Sequence, residues 1–267
     1  MAPILWTKNL AKSFGGLHAV QGLDFSMNEG EVVAIIGPNG SGKTTFFNLI
    51  MQLYDVTSGS IHFGPEGRNL AGMPTHQIHR LGIARTFQTL RLLPNLTVLE
   101  NVLVGMSRRS SQSFWRSLVR PPSLRSEERQ AENEALELLS FFGPRLLSMC
   151  NEPASSLSYA NRRRLEITRA MASDPRLILL DEPVAGMNPT ETREVMSDVK
   201  RLNARGFTIL LIEHDMTLVR GVAQRVVAFD HGTKIAEGTF DQVSSDARVI
   251  EAYLGRRASA ESKRGSA

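Results

Sequence analysis

Residues 31–44 read EVVAIIGPNGSGKT, an apolar run closing on a glycine-rich turn and a Lys-Thr pair, and residues 43–54 (KTTFFNLIMQLY) continue with helical spacing. Few folds suit such a segment. A run this apolar reads as a strand buried on both faces, and a strand that passes through glycines into a helix gathers the turn's N–H groups and the helix N-terminus around one point. That point binds phosphate. The glycines keep Cβ atoms clear of the anion, Lys43 reaches the β- and γ-phosphates of a nucleotide, and Thr44 offers its hydroxyl to Mg²⁺. The binding loop is read as Gly37, Pro38, Asn39, Gly40, Ser41, Gly42, Lys43, Thr44 and Thr45.

Three further apolar runs, LILL (177–180), FTILLI (207–212) and VVAF (226–229), read as buried strands, with helical spacing over 161–172 and 190–203. Near-continuous apolar strands alternating with helices predict an α/β fold with a mainly parallel sheet. The run 177–182 (LILLDE) ends in two carboxylates. At the C-terminal end of a parallel strand Asp181 suits a metal and Glu182 suits a base for attacking water. The stretch from Leu5 to Ser26, with Gly15-Gly16 and Gly22 as turn candidates, is expected to supply antiparallel strands. The middle differs, because 96–109 and 126–142 both look helical with no strand between them; a helical insertion over about 89–165 is expected, with the Ser-, Arg- and Pro-rich stretch 107–126 as an exposed connection.

Bulk composition excludes other classes. The 267 residues are 42% hydrophobic and 22% charged, an ordinary globular balance. Thirty-one basic against 27 acidic residues leave a net charge of +4, too mild to indicate nucleic acid, and no nucleic-acid partner is expected. One cysteine, Cys150, allows no internal disulfide and no zinc pattern. The opening MAPILWTKNL has no basic segment leading into an apolar stretch, and no window reaches the length of a membrane helix. Residues 1–255 are expected to form one domain, followed by a loose basic tail over 256–267.

Five more segments follow in order. They are Phe14, Gln88 in RTFQ, LSYANRRRLEITRA (157–170), AGMNP (185–189) and His214 in IEHDM. Together with the phosphate loop and LILLDE, they make the chain resemble the ATPase subunits of ABC transporters from Leu5 to about Gly255. The resemblance implies a P-loop, RecA-like core with an antiparallel β subdomain and an inserted helical subdomain, binding ATP and Mg²⁺. It implies that Phe14 stacks on adenine, that Gln88 senses the γ-phosphate and ligates Mg²⁺ with Thr44 and Asp181, and that Glu182 and His214 serve hydrolysis. Ser158 opens a helix that serves the nucleotide of an opposite subunit. A chain with one phosphate loop and one such helix must therefore pair with a second copy or a similar ATPase.

FGGLHAVQGLDF, RTFQTLRLLPNLTVLENV, EPVAGMNPTE and the ending EAYLG look most like the larger ATPase subunit of branched-chain amino acid importers. That likeness implies two permease chains, an external, periplasmic binding protein and a peripheral place on the cytoplasmic face of the inner membrane. A lipopolysaccharide exporter's ATPase has similar core motifs and stays an alternative. A DNA- or ribosome-directed ABC ATPase would need coiled-coil arms or two ATPase domains. A P-loop kinase would lack the signature serine and His214. The family's usual signature reads LSGGQ, whereas Tyr159, Ala160 and Asn161 stand here at its last three positions. Were a left-handed backbone needed at 160, Ala160 would be strained and the site slowed.

Overall fold

The computed structural model describes residues 3–106 and 122–254. They divide into two compact units, residues 3–81 with 179–254, and residues 82–106 with 122–178. The first unit begins with β1 (Leu5–Phe14), β2 (Leu17–Met27), β3 (Val32–Ile36), α1 (Lys43–Ile50), β4 (Ser58–Phe63), β5 (Arg68–Asn69) and α2 (Thr75–Leu81). The second holds β6 (Ile83–Arg85), α3 (Val98–Met106), α4 (Pro122–Phe141), α5 (Pro144–Ser148), α6 (Tyr159–Ala172) and the first residues of β7 (Leu177–Asp181). The chain then returns to the first unit through α7 (Pro189–Ala204), β8 (Thr208–Ile212), α8 (Met216–Val222), β9 (Arg225–Asp230), β10 (Thr233–Gly238), α9 (Phe240–Ser244) and α10 (247–254).

The main sheet of the first unit runs β10-β9-β3-β8-β7, with β3 parallel to both β8 and β9 and β10 antiparallel at the edge. Every residue of β3, β7 and β8 is buried, as their unbroken apolar runs require. Each large apolar side chain withdrawn from water there contributes about 1.5–3 kcal/mol, so these strands anchor whatever their C-terminal ends carry. A second, antiparallel sheet runs β2-β1-β4-β5. Gly15-Gly16 joins β1 to β2 as expected, whereas Gly22 is no turn. It lies inside β2 with φ +56°, where pairing slips from Leu10↔Leu23 to Lys12↔Val20, so it forms a bulge.

Helix α1 is shorter than its apolar spacing predicts. Gln52 takes φ +50° and its side-chain amide donates to the Leu49 carbonyl at 2.7 Å, which closes the helix before Tyr54. Helix α7 starts where Asn188 and Glu191 form a reciprocal capping box with Pro189 in the first turn. In the second unit β6 meets the head of β7, where the Arg176 and Leu177 amides both donate to the Gly82 carbonyl, and α3, α4 and α6 supply the expected helices, except that α4 starts at Pro122, inside the stretch 107–126 expected as a connection. Residues 107–121 and the tail 255–267 lie outside the described residues. Cys150 is half-buried and free.

Candidate functional site

The phosphate loop leaves β3 at Gly37, whose φ of +147° only glycine adopts readily. A Cβ there would stand 2.2 Å from the Phe229 carbonyl oxygen and 2.8 Å from Ser41 Oγ. Gly42, the N-cap of α1 at φ +103°, is equally confined, since its Cβ would meet the Ala19 carbonyl oxygen at 2.4 Å. Two glycines thus press the loop against β9 and β2. The Ser41 amide donates to the Pro38 carbonyl, and its own carbonyl accepts from the Gly232 amide. Lys43 is buried, and its ammonium donates to the Gly37 and Pro38 carbonyls at 2.7 and 3.0 Å.

These residues fit a polyphosphate. No side chain caps the N-terminus of α1, no acidic residue stands in its first turn, and the buried Ser41 hydroxyl has no protein partner. A cation and a ring of amide donors therefore converge in a fixed loop.

Strand β7 ends beside β8, and this neighbour pair carries the carboxylates and the imidazole. Asp181 is 2% exposed. The next residue, Glu182, is held at φ +48°, a left-handed conformation costly for a non-glycine side chain, and its amide donates to the Ile212 carbonyl at 2.9 Å. That bend brings Glu182 Oε1 to 3.3 Å from His214 Nε2. Burial, reinforced by the nearby Lys43 ammonium, holds the His214 imidazole below its ordinary 6.5 against the opposing pull of Glu182. A neutral imidazole, a carboxylate and a lysine are thereby gathered in one unit.

Glu213, which sequence reasoning did not single out, ties this group together. One of its carboxylate oxygens accepts from the Val184 amide at 3.1 Å, and the other accepts from the His214 and Asp215 amides at 2.7 and 3.0 Å. Burial pushes its carboxyl above 4.5 even though three N–H donors favour the charged form. Asp215 then caps α8 by accepting from the Thr217 and Leu218 amides. The only sequence signal for Glu213 is a carboxylate closing an otherwise apolar strand. Phe14 closes β1, 41% exposed, with the Lys12 ammonium 4.9 Å from its ring and Tyr54 packed edge-on.

Gln88 and Ser158 belong to the second unit. Ser158 is the N-cap of α6 and accepts from the Asn161 amide at 3.4 Å. Ala160 follows in the first helical turn and is not among the left-handed non-glycine residues, so the strain expected from its methyl is absent. A buried ion pair on α6, Arg163 Nη1 to Glu166 Oε2 at 2.8 Å, grips the segment that carries Gln88. Arg163 donates to the Phe87 and Gln88 carbonyls, while Glu166 accepts from the Phe87 and Arg91 amides. Sequence reading missed this clamp as well. Among the described residues no three His, Cys, Asp or Glu side chains form a ready metal cluster, and no helix is long and apolar enough to cross a membrane.

A mainly parallel sheet carrying a phosphate loop, an acidic strand end and a histidine on the next strand defines a nucleoside-triphosphatase of the P-loop class. Family comparison narrows it. Residues 20–185 match the family described as ABC transporter, and residues 233–259 match the one described as branched-chain amino acid ATP-binding cassette transporter. The chain is 42% identical to a high-affinity branched-chain amino acid transport ATP-binding protein, LivG, of Salmonella typhimurium, covering 95% of this chain and 98% of the relative. It is 41% identical to BraF, a protein of the same description from Pseudomonas aeruginosa, over the same shares. Among solved structures, the ADP conformation of an ATP-binding cassette of an ABC transporter superposes with a TM-score of 0.82 at 35% identity, covering 96% of this chain and 100% of that one. A dimeric bacterial ABC transporter cassette superposes at 0.73 with 26% identity, covering 88% of this chain and 98% of that one. The chain belongs to the ATP-binding proteins of ABC transporters, in their branched-chain amino acid group, and is an ATPase coupled to transport.

Proposed function

We propose that this chain hydrolyses ATP at the loop Gly37–Thr45 with Glu182 as general base and His214 as its partner, and so drives import of branched-chain or related amino acids. The observation that carries the reading is the 3.3 Å contact between Glu182 and His214, beside a buried Lys43 at the ends of adjacent strands. Lys43 moves from the Gly37 and Pro38 carbonyls to the β- and γ-phosphates. Glu182 takes the proton of the attacking water while neutral His214 donates to the γ-phosphate, and Phe14 supports the adenine. Mg²⁺, when bound, offsets phosphate charge; Thr44, Asp181 and Gln88 are the residues that would hold it, with the phosphates supplying the remaining oxygens as Mg²⁺ prefers.

Ser158 serves the nucleotide of a facing ATPase subunit, a second copy or a close companion. The cap it makes at α6 presents the amides of a fourteen-residue helix, and relatives of this fold form dimers. Two permease chains and an external, periplasmic binding protein complete the assembly, with this chain bound peripherally at the cytoplasmic face of the inner membrane, a reading supported by the transport descriptions of the relatives. Reconstitution with the permeases in liposomes tests it. Binding protein loaded with leucine, isoleucine or valine should raise ATP turnover several-fold, and stimulation confined to an unrelated cargo would overturn the assignment of cargo while leaving the ATPase in place.

A further inference from the structure

Helix α10 ends against the phosphate loop. Tyr253 of this helix accepts a hydrogen bond from the Gly37 amide at 2.8 Å, and Val249, one turn earlier, is buried and anchors the helix. Gly37 is the first residue beyond the β3 ladder, whose last pairs are Ile35↔Ile212 and Ile36↔Ala228. Its amide therefore has no place in the strand register, and the phenol of a residue 216 positions away supplies the acceptor. Burial pushes that phenol above its ordinary 10.0, so the hydroxyl stays neutral through the working pH range.

The two peptides that flank Gly37 Cα are thus each tied by a side chain, the preceding one by Tyr253 and the following one by Lys43. A glycine at φ +147° has little of its own to hold it in that conformation. When Lys43 turns to a nucleotide, Tyr253 is the side-chain tie that stays.

We propose that Tyr253 is a positioning residue for nucleotide binding, by which the C-terminal helix holds the base of the phosphate loop in its binding conformation. The inference rests on the reading of Gly37–Thr45 as the nucleotide site. It also gives a task to the segment 233–259, whose family resemblance is separate from that of the ATPase core. An ordinary neutral hydrogen bond is equivalent to about two- to tenfold in an equilibrium constant, and that is the size of effect expected.

The test is Tyr253→Phe in the full-length chain, which keeps the ring and removes the oxygen. ADP should bind about two- to tenfold more weakly and KM for ATP should rise in proportion with kcat held, while the melting temperature falls slightly because the Gly37 amide loses its acceptor. In the amide NMR spectrum the Gly37 resonance should move and its hydrogen exchange quicken. Lys43→Ala serves as the control for the underlying reading. If Lys43→Ala loses ADP while Tyr253→Phe binds it as the wild type does, Tyr253 has no positioning role and the nucleotide site stands. If Lys43→Ala still binds ADP normally, the site itself is misassigned and the inference falls with it. A Tyr253→Phe chain that melts earlier but binds ADP normally when folded also overturns the proposal. Should that variant not fold, ADP titration of the wild type decides: the Tyr253 ring and Gly37 amide resonances should shift together, and a Tyr253 ring that does not respond to ADP refutes the coupling.

Discussion

Gly37 and Gly40 both have positive φ in the same loop, yet alanine at the two positions should behave very differently. At Gly40, φ is +76° and a Cβ would meet nothing within 4 Å, so Gly40→Ala carries only the left-handed penalty of about 1–2 kcal/mol. At Gly37, φ is +147° and the new methyl would stand 2.2 Å from the Phe229 carbonyl oxygen and 2.8 Å from Ser41 Oγ. Backbone strain of about 1–3 kcal/mol is joined there by overpacking of about 1–3 kcal/mol, since Phe229 lies in a buried strand that cannot withdraw cheaply. The sum is about 2–6 kcal/mol, a large share of the roughly 5–15 kcal/mol by which domains are stable. Urea unfolding of the two variants beside wild type gives both numbers. The midpoint should fall slightly for Gly40→Ala and about two to three times further for Gly37→Ala. Equal losses would show that the loop does not press on β9, and the account of why it holds one shape would fail.

Three further outcomes follow from the same contacts. In Glu213→Gln one oxygen can keep only part of the three amide bonds, and loss of a charge-assisted bond of about 1.5–3 kcal/mol should lower kcat roughly ten- to a hundredfold with nucleotide affinity kept; unchanged single-turnover rates would show that Glu213 does not position His214. His214, held below 6.5, should titrate by imidazole NMR at a pH under that value, so turnover should persist as pH falls through 6.5; the unfolded imidazole takes its proton near 6.5 and the folded one only at lower pH, so this group withdraws stability below 6.5, and a midpoint above 6.5 would contradict the geometry. Arg163→Met removes the cation hydrogen-bonded to the buried Glu166 carboxylate and should cost about 3–5 kcal/mol, whereas Arg163→Met with Glu166→Leu should recover part of the loss, the remainder reflecting the Phe87 and Arg91 amides left without their acceptor; calorimetry showing no recovery would refute the pairing.

The parallel core was legible because strands buried on both faces must be apolar throughout, as Val32–Ile36 and Ile209–Ile212 are. Strand β10, TKIAEG, was not, because an edge strand buries one residue in its length and alternates too weakly to signal itself. The length of α1 was misread because apolar spacing runs on through Leu53 while the left-handed turn at Gln52 decides where the helix ends. Gly22 shows the same limit, since a positive φ serves a bulge as readily as a turn. At the site, the phosphate loop and the LILLDE end were readable because their chemistry lies in contiguous residues. Glu213, Tyr253 and the Arg163–Glu166 clamp were not, because each has a backbone partner brought near only by folding, Val184 for Glu213 and Gly37 for Tyr253 among them. Ala160 escapes the backbone strain for a related reason, as a helical first turn accepts alanine where a left-handed turn would not.

Glu182, bent to His214 at the end of β7, is the residue proposed to remove the proton from attacking water. Glu182→Gln keeps size and shape but cannot act as that base, so ATP affinity of the assembled transporter should stay within about twofold of wild type while turnover falls about 10²- to 10⁴-fold and ATP accumulates unhydrolysed in a closed dimer. Hydrolysis by Glu182→Gln at the wild-type rate, with ATP bound as tightly, would contradict that role.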